Sequence, residues 1–480
     1  ACADRNPGPH AILKSRPTEH LPVSTAETGT HRNPESCMDT SSNRLFRLYQ
    51  RIVSSIAFYP ALITLGLVLL CIVSIWLEMT YLQAYKEDIK LGLVNNAENA
   101  RLILGTLVGG IVSLMVFSFS MVMVVLNSAS STLSPRVIPS LISSRNHQFI
   151  LGIYLGTIID SLLLILTIQE GDDINIPSLG IFLALGLGIV SLCLFITFIR
   201  GISQSIQVDY ILNSLFKKTL KELQVQQGKF GQFSERQQWP DDQGWPVTCS
   251  TRAGYFKAFN SEAAKALLQK HDLRMTIEVH NGFFVMPGHP LFRVSRQVDE
   301  EVTETLLDAF DFYVEEYANQ HYFFGFKQIS EIASKALSPG INDPGTAIKA
   351  IDMLGVLFAE RLKLPDFDVA SEPDEPPRLY IRELELQQML LAVLGPPRHY
   401  GGGDTQVVLS LLQCFKNLLF CDPEPETEAV LLAHAQAVLD KAKESIALRP
   451  DREAIDAAVQ QLNEAISHNA PLENPMCAES

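Results

Sequence analysis

Asp160 is an acidic side chain eleven residues into Phe149–Gln169, a run that is otherwise free of charge. At that depth in a bilayer a carboxylate costs roughly 2.5–3.5 kcal/mol on insertion scales, so it must meet water or a polar partner. The hydroxyls of Ser113, Ser118 and Ser120 on the preceding apolar run are candidates, as is Thr157 on its own helix. A carboxylate among hydroxyls can hold a proton or a small cation. It can equally be a protonated acid bonded inside a helix bundle, and both readings stay open. A second constellation is Ser338-Pro339-Gly340-Ile341-Asn342-Asp343-Pro344-Gly345-Thr346. Pro339 and Gly340 end one helix, Asp343 caps the next, and Pro344 takes its first position. A helix–turn–helix explains all of this without a ligand. Asn342 and Asp343 beside a helix N-terminus could also receive a ligand or a partner loop, though the Asp343 carboxylate would oppose an anion. A third motif, Ser134-Pro135-Arg136, follows the second apolar run.

Bond-making chemistry has no such footing. The 8 cysteines and 11 histidines are dispersed, with no C-x-x-C pair and no metal-ligand spacing. No G-x-S-x-G, H-E-x-x-H or Walker pattern occurs. Gly401-Gly402-Gly403-Asp404 has neither the lysine nor the preceding strand of a phosphate loop, and reads as a linker. The expectation is a non-enzyme without metal or cofactor.

The elements that must position these residues are four apolar runs, Ile52–Leu77, Leu102–Leu133, Phe149–Gln169 and Ile174–Ile199. Each supplies the ~20 residues needed to cross ~30 Å of hydrocarbon once. Spans are expected at about 54–77, 103–126, 149–169 and 177–199. Arg44, Arg47 and Arg51 precede the first, Arg136 and Arg145 lie between the second and third, and Arg200, Lys217 and Lys218 follow the fourth. That bias places both termini in the cytoplasm of a cell inner (plasma) membrane. Gly105-x-x-x-Gly109 and Gly152-x-x-x-Gly156 allow close helix contacts, within one chain or between copies, and a homo-oligomer is expected.

Residues 1–43 are polar with no apolar core, and read as disordered rather than as a signal peptide. The net charge of −15 lies in the tail: 201–480 holds 25 basic and 40 acidic residues, against 13 and 13 in 1–200. Such acidity argues against nucleic-acid binding. A helical stalk continuing from the fourth span is expected over 201–244, and a small α/β module over 245–297. Within that module Phe283–Met286 and Leu291–Val294 read as a hairpin. Helices are expected over 298–470, and a flexible end over 471–480.

The string Ala336-Leu337-Ser338-Pro339-Gly340-Ile341-Asn342-Asp343-Pro344, followed by Thr346-Ala347, resembles the signature of a bacterial family of predicted integral membrane proteins, domain-of-unknown-function family 2254. Ser134-Pro135-Arg136, Gly254-Tyr255, Gly288-x-Pro290-Leu291 and Tyr400 ahead of Val407-Val408 match in place, so the resemblance covers roughly 45 to 465. The chain departs from the family's usual charged residues at Ala318-Asn319-Gln320-His321, and carries Lys327 and Glu331 where Arg and Asp are usual. The resemblance implies an integral membrane location and no known activity. The fold class expected is therefore an α-helical membrane protein of four transmembrane helices with a cytoplasmic, mostly helical α+β domain. The leading functional expectation is an oligomeric channel- or transporter-like protein regulated by that domain, whose ligand the sequence does not identify. The alternative is a membrane-anchored scaffold or sensor.

Overall fold

The computed structural model describes residues 58–78, 80, 96–132, 145–168, 177–205, 207–230, 239–313, 321–370 and 377–472. The motif Ser134-Pro135-Arg136, the segment 1–43 and most of 471–480 lie outside them. Among the described residues, four helices are long and apolar enough to cross a membrane: α1 (Phe58–Leu77), α2 (Ala97–Thr132), α3 (Arg145–Thr167) and α4 (Ser178–Ser205). Alpha-helix is the form such runs take, because lipid offers no partner to an unpaired backbone amide. The centre of the bundle is α3, with half of its apolar window buried, against 17% for α1 and α2 and 28% for α4. Gly152 and Gly156 make this possible. A Cβ on Gly152 would lie 2.9 Å from Ile63 Cβ and 3.1 Å from Pro60 Cα, so α1 and α3 touch nearly backbone to backbone. Gly105 and Gly109 do nothing of the kind, having no non-neighbouring atom within 4 Å of where a Cβ would stand. They face outward on α2, so no contact among the described residues accounts for them.

At the membrane end remote from residue 205, charged side chains close the bundle. Buried Glu78, just after α1, accepts the backbone N–H groups of Ser178 and Leu179 at 2.8 and 3.1 Å, capping α4. Arg101 of α2 donates to the Ile168 carbonyl at 2.9 Å, just past the end of α3. Each satisfies helix-end groups that the membrane edge leaves open.

The fourth span does not run on as one helix. It ends at Ser205, and a new helix, α5 (Val208–Phe230), begins after Gln207, whose carbonyl accepts from Tyr210 and Ile211. Nor is α5 a free stalk. Ile211, Leu212, Leu215 and Leu223 are buried in the core of the helical domain. The apolar stripe expected of a stalk is thus a packing face.

Beyond it come β1 (Val247–Cys249), β2 (Gly254–Phe259), α6 (Ser261–Lys270), β3 (Met275–Ile277), β4 (Phe284–Val285) and β5 (Pro290–Val294). Then follow α7 (Glu300–Asp308), β6 (Phe310–Tyr313), α8 (Tyr322–Ala336), α9 (Pro344–Arg361), β7 (Phe367–Ala370) and β8 (Leu379–Arg382). Four helices finish the described chain: α10 (Leu386–Gly401), α11 (Thr405–Leu419), α12 (Pro425–Ser445) and α13 (Arg449–Asn463). The strands form a five-stranded sheet in the order β1-β5-β3-β8-β7 and a three-stranded sheet in the order β4-β2-β6. The expected hairpin is absent: β4 pairs with β2 and β5 with β1 and β3, so the Met286–His289 turn carries the chain from one sheet to the other. Three further strands, β6, β7 and β8, come from the stretch expected to be helical. Each has four residues; β6 pairs with β2 and β8 with β3 across long stretches of chain, and β7 is added at the edge against β8, so local periodicity has little to register.

Candidate functional site

Asp160 is 2% exposed and lies wholly inside one four-helix bundle. Its neighbour is none of the expected hydroxyls but the buried Cys71 thiol of α1, whose Sγ is 4.0 Å from the Asp160 carbonyl oxygen. Thr157 instead donates back to Ile153 O at 2.8 Å. Ser113 and Ser120 are exposed, and likewise turn their hydroxyls onto their own helix, to Gly109 O and Val116 O. That is how a hydroxyl facing lipid is satisfied. Ser118 alone of the three is buried, beside Tyr154. The expected trio of Asp160, Ser118 and Ser120 is therefore split, with Ser120 on the outer surface.

What the bundle holds instead is a set of enclosed polar atoms. Ser118 Oγ, Gln148 Oε1, Tyr154 OH, Asp160 Oδ1, Ser161 Oγ and Ser191 Oγ are buried and make no hydrogen bond of ordinary geometry among the described residues, although Ser118 lies against Tyr154 and Cys71 against Asp160. Four of them are on α3, and from Gln148 to Ser161 they cover ~20 Å of helix rise. Each such atom costs ~1–3 kcal/mol if nothing meets it. Protein interiors avoid that by pairing polar groups or by enclosing water, which takes two to four polar partners per molecule. Gln148, Tyr154 and Asp160 follow one another at six-residue intervals, which at about 100° per residue turns them to different sides of α3, so the set is spread around the helix and not aligned along one face. Its Gln148, Tyr154, Ser161 and Ser191 members carry no sequence signal, since each is one polar residue in an apolar run.

The signature turn is a tight connection between α8 and α9. Asp343 accepts from Thr346 N at 3.2 Å and from the Thr346 hydroxyl at 2.6 Å, with Pro344 opening α9. Asn342 has φ +50°, the left-handed form that Asn tolerates. Its N–H donates to Ser338 O at 3.0 Å, and the Ser338 hydroxyl donates to Lys335 O at 2.7 Å. Pro339, Gly340, Asn342 and Asp343 are exposed. The polar groups of the motif are largely spent on the turn itself.

A second buried cluster, unforeseen in the sequence, lies where α5, α8, α9 and β8 meet. Arg361 is 1% exposed and donates to Leu364 O, Leu384 O and Asp366 Oδ1 at 2.8, 3.1 and 2.6 Å. Glu383, also buried, accepts from Tyr322 OH at 3.2 Å. His321 Nδ1 accepts the Phe323 amide, capping α8, so its Nε2–H is left to donate to Glu383 at 3.0 Å. Burial pushes the Glu383 carboxyl up, but the His321 contact, the Arg361 charge and the Tyr322 hydrogen bond outweigh it and hold it below the usual carboxylate range. Glu222 of α5 sits beside His321, its carboxyl raised by burial. The position where this chain departs from the family pattern thus still carries a polar network, with His321 in it. The same junction is close-packed: a Cβ on Gly325 of α8 would collide with the Thr219 side chain of α5.

Comparison with known proteins adds family but no activity. An uncharacterized protein of Mycobacterium bovis and one of Mycobacterium tuberculosis are each 24% identical over 371 residues, 74% of this chain and 71% of the relative. No solved structure matches. The family model described as "Predicted membrane protein (DUF2254)" matches residues 53–417, from the first span to the end of the α11 core, and the chain belongs to that family.

Proposed function

We propose that the protein conducts protons or small cations through the interior of its four-helix bundle, under the influence of a cytoplasmic helical domain. The supporting observation is Asp160, a carboxylate buried inside the bundle, together with further buried polar atoms on α2, α3 and α4. A carboxylate favours a cationic passenger, and hydroxyls and a phenol can relay it over short steps. The pathway belongs to one protomer, because Asp160 faces the bundle interior rather than an outer surface. A homo-oligomer packed through the outward Gly105–Gly109 face of α2 would support the bundle without lining it; the mass of the protein–detergent complex checks that part. No bond-making step is assigned.

Cys71 reports on the pathway from within. With Cys71 as the sole cysteine, a small, charged, water-soluble methanethiosulfonate should modify it from one side of the membrane. Modification by lipid-soluble reagents only would mean a sealed bundle, and would favour the membrane-anchored scaffold or sensor.

A further inference from the structure

The five-stranded sheet gathers positive charge at one end. Central β3 runs antiparallel to β5 and parallel to β8, with Met275 opposite both Val294 and Leu379. The residues just outside that register are Arg274 before β3, Ser295 and Arg296 after β5, and Pro377 and Arg378 before β8. With Asp272 they line an open cleft of about 340 Å³. Three guanidinium groups and one carboxylate leave a local positive excess, in a region of the chain that holds 25 basic and 40 acidic residues.

Each guanidinium is held in place. Arg378 donates from Nη1 to Asp272 Oδ1 at 2.8 Å, and its buried Nε has no acceptor among the described residues. Arg296 donates from one nitrogen to the carbonyls of His271 and Asp272. Arg274 stacks on Trp245, 5.4 Å from the ring centroid. Asp272 is itself fixed at φ +48°, and the Arg378 hydrogen bond and charge hold its carboxyl below the usual range. Ion pairing alone does not account for this set, because among the described residues one carboxylate serves three cations. Planar, preorganised arginine forks that retain further N–H donors suit a tetrahedral oxyanion with several acceptor oxygens.

We infer that this cleft binds the phosphate group of an anionic ligand, either a soluble phosphorylated compound or a lipid headgroup. The site is independent of the Asp160 pathway, and Asp160→Asn should leave it intact.

The test uses the purified full-length protein in neutral detergent, titrated with inorganic pyrophosphate and followed by tryptophan fluorescence. Saturable binding is expected. Arg274→Gln and Arg296→Gln should each weaken it roughly tenfold or more without lowering the melting temperature, whereas Arg274→Lys should cost less. In phosphatidylcholine vesicles, a retained pyrophosphate response identifies a soluble ligand. A response that needs phosphatidylglycerol in the vesicle and is lost in R274Q identifies a headgroup. Glu372, Asp374 and Glu375 precede the cleft in sequence. Neutralising them should not weaken binding, since an anion gains nothing from carboxylates. No response to either probe, a response that survives the R274Q/R296Q double variant, or weaker binding after that neutralisation would each overturn the assignment.

Discussion

Glu428 shows how much one buried carboxylate can hold. It accepts the backbone N–H groups of Ser467, His468 and Asn469 at 3.0, 2.9 and 2.7 Å, tying the chain after α13 back to α12. Burial raises its carboxyl, but the Ser467 amide, the Asn469 side chain and the remaining amides reverse that and bring it to about 2. A pKa lowered on folding contributes stability that is fully present above the ordinary value, ~4.5, and is lost as pH falls toward the folded one. Denaturation of wild type and Glu428→Gln across pH should therefore show a gap that is constant above pH ~5 and closes toward pH ~2. A gap independent of pH would contradict the assignment. Asp160 was legible at this scale because a lone acid stands out in an apolar run. Glu428, Glu383 and Arg361 were not. Each sits in an ordinary amphipathic stretch, and His321 and Glu383, or Glu428 and Ser467, meet across 62 and 39 residues.

The signature turn and the α5–α8 crossing decide how the elements fit together. Asp343→Ala should lower stability by ~1 kcal/mol, and Asp343→Asn or Asp343→Ser should restore most of it, read by thermal unfolding. If all three variants keep the wild-type melting temperature, the cap is not what the turn contributes. Gly325→Ala should cost about 1–3 kcal/mol, because α5 must move off α8. Thr219→Ala in the same chain should recover part of that loss, and an additive double variant would show that the two helices are not in contact there. The sequence announced the turn, since proline, glycine and a capping acid act locally. It did not announce which strands pair. Sheet partners are chosen by tertiary packing, so a plausible hairpin around Pro287-Gly288 became a bridge between two sheets. The break after Ser205 also left no mark, as the apolar stripe continues through it.

At the scale of the whole molecule, a four-helix bundle with Asp160 enclosed in it is joined through α5 to a helical domain whose core α5 completes. Motion of that domain has a short mechanical route to the fourth span, through the α4–α5 break and the tight α5–α8 contact. The proposed conduction through each protomer would make flux proportional to the amount of protein, whatever the assembly. Reconstitution in vesicles with an imposed membrane potential, with interior pH and cation content followed by fluorescent indicators, tests this directly. Wild-type protein should carry protons or a monovalent cation. Asp160→Asn should reduce that flux at least tenfold at an unchanged melting temperature, while Ser120→Ala, on the outer surface, should leave it unaltered. Equal flux in wild type, Asp160→Asn and empty vesicles would contradict the account and leave the bundle as an anchor.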